Sequence, residues 1–78
     1  ISASEDKKLV NNTIKFLDDR VANITGTSVD DYYTKVSLLG TKYNLLNSSG
    51  RTEEAEAVTA ESEDLLVKAK AAAAAGRS

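Results

Sequence analysis

Val10, Ile14, Leu17, Val21 and Ile24 recur at intervals of four, three, four and three residues, and no other feature of this 78-residue chain constrains its fold more. Apolar side chains at that spacing fall on one side of an α-helix and cannot line one face of a strand. Leu9 and Phe16 widen the stripe, so the spacing predicts a first helix over about residues 5–24. Ser4 stands where a side chain can cap the free amides, Glu5 and Asp6 suit the positive end of the helix dipole, and Gly26 can turn left-handed beyond the end.

The same alternation returns in Val29, Tyr32, Val36, Leu39, Tyr43 and Leu46, predicting a second helix over about 29–47. Ser28 is its expected cap, with Asp31 three residues on as a shortened capping box. Asn47-Ser48-Ser49-Gly50 has no apolar content and reads as a turn. A third helix follows over about 52–75, capped by Thr52, with Glu53, Glu54 and Glu56 near its start and Lys68 and Lys70 near its end. Its seam, Ala55, Val58, Ser62, Leu65, Ala69 and Ala72, is mostly small, so it is expected to be the least stable element. Short loops between amphipathic helices make neighbours antiparallel, giving an all-α, up-down-up three-helix bundle that forms one domain over 1–78. Ile14, Leu17, Val21, Tyr32, Val36, Leu39 and Tyr43 are its expected central core.

Composition narrows the chemistry. The chain lacks Cys and His, which removes thiolate and imidazole ligands, cysteine nucleophiles and histidine bases. Ten Lys and Arg against twelve Asp and Glu leave a net charge of −2, without the basic excess that holds a phosphate backbone, so nucleic acid is not an expected partner. The longest unbroken apolar run, Ala71 to Ala75, is far shorter than the roughly 20 residues of a membrane span. Association with a membrane is therefore expected to be peripheral at most. The start at Ile1 reads as a processed or truncated terminus.

No catalytic, metal or cofactor site is expected. The acidic pairs Asp18-Asp19, Asp30-Asp31, Glu53-Glu54 and Glu63-Asp64 join helix neighbours that point in different directions, and no window has the ligand pattern of a calcium loop. Gly40 lies inside the second helix at a cost of about 1 kcal/mol relative to Ala, which leaves either close approach of another helix or a tolerated defect. Tyr32 and Tyr33 are adjacent and cannot both face the core, so one belongs at a boundary. Of three glycosylation sequons, only that at Asn47 falls in an expected loop.

Two resemblances bear on function. Leu39-Gly40-Thr41-Lys42-Tyr43 and Gly50-Arg51-Thr52-Glu53-Glu54-Ala55 have the outline of a tetratricopeptide unit, but the turn is about three residues too long and no second unit exists, so this stretch reads as a generic helical hairpin. The opening Ser4-Glu5-Asp6-Lys7-Lys8-Leu9 with Asp30-Asp31-Tyr32-Tyr33-Thr34-Lys35-Val36-Ser37 is similar to the C-terminal hairpin of PsbQ-type extrinsic subunits of photosystem II. Residues 28–47 with the closing Lys-Ala-rich helix also resemble the last two helices of a related lumenal assembly factor. The resemblance implies a cofactor-free structural subunit in the thylakoid lumen that docks on a membrane-protein assembly. Its expected contacts with a protein partner are Lys7, Lys8, Lys35 and Lys42, with the Tyr32–Tyr33 edge beside them. The alternative is a secreted or surface helical binding module, which glycosylation at Asn47 would favour.

Overall fold

The structure, a computed structural model, describes residues 3–76 and is an up-down-up bundle of three helices. Helix α1 spans Ala3–Asn23, α2 Val29–Ser48 and α3 Thr52–Ala74. The boundaries lie within two residues of those expected from spacing, and α1 begins at Ala3, before Ser4. The capping role expected of the Ser4 side chain lies outside the described residues.

Local chemistry sets the two turns. Before α2, the Ser28 hydroxyl accepts from the Asp31 amide at 3.2 Å, and the Asp31 carboxylate accepts from the Ser28 amide at 3.4 Å and its hydroxyl at 2.9 Å. This closed capping box satisfies donors that the first helical turn leaves free. Gly26 serves it differently from expectation: among the described residues only Gly50 and Gly76 have positive φ, and Gly26 instead lies directly against the Asp31 carboxylate. After α2, Gly50 at φ +76° reverses the chain, the Arg51 amide donates to the Leu46 carbonyl at 2.9 Å, and the Gly50 amide donates to Asn47 at 3.2 Å. This double bond pattern ends the helix and returns the chain directly into α3.

That direct return changes two expected roles. Arg51, not Thr52, occupies the capping position of α3; its carbonyl accepts from the Ala55 amide, and no side chain caps the helix. Asn47 lies in the last turn of α2 instead of in a loop, because the reversal is confined to Ser49 and Gly50.

Ile14, Leu39, Leu46, Ala55, Val58 and Leu65 form the buried core, with Val10, Val21, Tyr32, Val36 and Leu45 packed against it. Tyr43 departs from the expected core: it is 37% exposed and lines a cleft with Asn47, Thr52, Ala55, Glu56 and Thr59 at the edge of α3. The small seam of α3 turns out to be an advantage. Ala55 and Ala69 are 2% and 0% exposed, and with no bulk at those positions α2 and α3 lie close along most of their length. Helix α1 meets α2 over a shorter stretch, and no described Cα of α1 comes within 8 Å of one in α3. Packing thus argues against the expectation that the third helix is the least stable, since α1 meets the rest of the bundle over the shorter stretch.

The bundle is consequently open and flat. It measures 51 × 21 × 12 Å, with a radius of gyration of 14.3 Å where a compact chain of this length has about 11–12 Å. Three helix axes at their usual 8–10 Å spacing account for the width when they lie nearly side by side, with α2 in the middle.

Candidate docking surface

Lysines and tyrosines singled out from the sequence do not converge. Lys7 lines a cleft of about 540 Å³ with Asp6, Val10, Ser48, Ser49 and Arg51, where the start of α1 meets the α2–α3 turn. Lys8 beside it is exposed. Lys35 is half-buried toward the other end of the bundle, because α1 and α2 run antiparallel. Lys42 is engaged internally: its ammonium lies 2.7 Å from the Asp18 carboxylate, and its side chain is only 18% exposed. Tyr32 packs against the core, while Tyr33 is exposed, so the boundary role within that pair falls to Tyr33.

A second internal tie went unrecognised in the sequence. Arg51 donates to the Asn11 side chain at 2.7 Å and to both carboxylate oxygens of Glu54, the Nη2 contact measuring 2.8 Å. It joins α1 to the start of α3 across the turn. These hydrogen bonds, aided by the charges of Arg51 and then Lys42, hold the Glu54 carboxyl below its ordinary range, and the Arg51 guanidinium is raised in return. An Arg directly after a turn glycine with Glu three residues on was the available signal. Around this tie, Ile14, Asp18, Lys42, Leu46, Glu54, Ala57, Val58 and Glu61 line an open cleft of about 280 Å³ between α1 and α3. Within it the Lys42–Asp18 ion pair fastens α2 to α1. Among the described residues, no cluster of three or more His, Cys, Asp or Glu side chains could hold a metal ion.

The unusual surface is the open side of α2. After Asp30, every exposed residue of this helix is uncharged: Tyr33, Thr34, Ser37, Gly40, Thr41, Tyr43, Asn44, Asn47 and Ser48. The remaining charged residues, Asp31, Lys35 and Lys42, are half-buried. The two threonine hydroxyls of this face have backbone partners: Thr34 donates to the Asp30 carbonyl at 2.8 Å and Thr41 to the Ser37 carbonyl at 3.4 Å. Gly40 contributes no side chain, and nothing lies within 4 Å of where its Cβ would be. Of the two readings left open for Gly40, close approach by a helix of this chain is thereby removed. The cause of the uncharged band is legible in retrospect, since Lys35 and Lys42 stand seven residues apart and fall on the same side of the helix.

Large apolar side chains are also exposed on α1, where Leu9 is 62% and Phe16 58% exposed, and on α3 at Leu66 and Val67. The Arg20 guanidinium lies over the Phe16 ring, 5.7 Å from its centre. No helix among the described residues is long and apolar enough to cross a membrane. Comparison with known protein families, with curated proteins and with solved structures finds no match to this chain.

Proposed function

We propose that this chain is a non-enzymatic structural subunit that docks on a larger membrane-protein assembly through the uncharged side of α2 and stabilises it. The observation that carries this reading is the absence of exposed charge on α2 after Asp30, in a chain where 28% of residues are charged. A helix face that stays in water usually carries charged residues, whereas the centre of a protein interface is depleted of them and enriched in aromatics. Removing water from Thr34 and Thr41 is made easier because their hydroxyls already have backbone partners. Lys7, which shares a cleft with Ser48 of α2, and Lys35 on α2 itself contribute long-range attraction that favours encounter more than affinity.

The particular assembly is proposed from the sequence resemblance: photosystem II, with the protein as an extrinsic subunit in the thylakoid lumen. A secreted or surface binding module is the second reading, favoured by the exposure of Asn47. The two readings compete for one surface, since a glycan on Asn47 would stand at the edge of the proposed docking face. The test is rebinding of the purified chain to photosystem II membranes stripped of extrinsic subunits. Wild-type protein is expected to bind and to stay bound in molar salt, where charges are screened beyond about 3 Å, while Ser37→Lys and Thr41→Lys are expected to lose binding without loss of helicity. Failure of the wild-type chain to bind would remove the photosystem assignment, and unimpaired binding by both variants would remove the docking face.

A further inference from the structure

We propose that two copies of this chain pair, antiparallel, through the outer side of α1, a contact separate from the α2 docking face. Glu5, Leu9, Phe16 and Arg20 are exposed and follow one another at intervals of four, seven and four residues, which brings them onto one line along the helix. The order along that line is acid, apolar, apolar, base, and its spacing is symmetric about the midpoint between Asn12 and Thr13. A second copy turned end for end therefore sets Leu9 against Phe16 and Glu5 against Arg20, each pair occurring twice, as a two-fold axis requires. A parallel pair would place Glu5 on Glu5 and Arg20 on Arg20. Arg20 is already held along the line by its position over the Phe16 ring.

The bundle also has surface enough for a second copy. A folded monomer of 8.3 kDa exposes about 4,600 Å², while this chain exposes 5373 Å². The excess of about 800 Å² belongs to the open bundle as a whole and is as large as one partner's share of a standard protein interface.

Sedimentation of the full chain across micromolar to millimolar concentration tests the pairing. Wild-type protein is expected to convert from monomer to dimer. Arg20→Glu is expected to raise the dissociation constant by about tenfold or more through like-charge contact, and Glu5→Arg combined with Arg20→Glu in the same chain is expected to restore pairing. Because the chain has no Cys, Thr13→Cys near the two-fold axis is expected to form a disulfide-linked dimer on mild oxidation, and Lys15→Cys, which points away from the line, is not. A wild-type chain that stays monomeric throughout, or a dimer untouched by Arg20→Glu, would overturn the proposal. Loss of the dimer in Thr41→Lys, with Arg20→Glu still paired, would place the contact on α2 and overturn it equally.

Discussion

The carboxylate of Asp31 occupies the space that a Cβ on Gly26 would need: that atom would lie 1.9 Å from Oδ2. The same carboxylate closes the capping box with Ser28. An alanine at 26 therefore displaces a group that the start of α2 uses. Gly26→Ala is expected to lower stability by about 1 kcal/mol, measured by urea unfolding. The loss should largely vanish when Asp31 is already Ala, as a double-mutant cycle would show.

Gly40 is expected to respond with the opposite sign. It lies inside α2, is exposed, and has open space where a side chain would go. Gly40→Ala should raise stability by up to about 1 kcal/mol, because Ala has the higher helix propensity and restricts the unfolded chain. A rise in the thermal midpoint is the check.

Much of this architecture was legible in apolar spacing. Three helices, their antiparallel order and the capping box at Ser28 and Asp31 follow from local pattern, and each is present. What spacing could not convey is how closely two helices approach. Ala55 and Ala69 look like a weak seam when area alone is considered, yet small side chains are what let α2 and α3 come together. Tyr43 shares the interval of Leu39 and Leu46 but reaches the bundle edge, because α3 sets Thr52, Ala55, Glu56 and Thr59 against it there, none of them a large apolar side chain. Lys42 reads as a surface cation until the fold brings Asp18 within 2.7 Å. The uncharged side of α2 was readable from the positions of Lys35 and Lys42, and the Arg51 tie to Asn11 was not, since those residues are forty apart.

Close packing of α2 on α3 makes Ala69 intolerant of bulk. Ala69→Leu is expected to cost about 1–3 kcal/mol through overpacking, whereas Ala71→Leu, on an exposed position of the same helix, should change stability by no more than about 0.5 kcal/mol. Denaturant midpoints of the two variants provide the comparison.

Acid should loosen the start of α3. The Glu54 carboxyl is held below its ordinary value of 4.5, chiefly by its hydrogen bonds to Arg51. Because the folded-state value is the lower one, the stabilisation is complete above the unfolded value and is lost as pH falls through the folded one. Both side chains are in water, so the effect is small. The amides of residues 55–58, the first that are hydrogen-bonded within α3, are expected to exchange faster as pH drops below about 4, after correction for intrinsic rates, and Glu54→Gln should lose that pH dependence.

The central claim is that α2 and α3 form a closed hairpin and that α1 lies at its edge with its outer side open. Native-state amide exchange in dilute solution, where any pairing of copies is absent, tests it most directly, because opening free energies follow local packing. Protection over Val58 to Leu65 is expected to exceed that over Ile14 to Val21, reflecting the close approach of α3 to α2 and the separation of α1 from α3. Equal protection in the two segments, or loss of α3 protection before α1, would contradict the account.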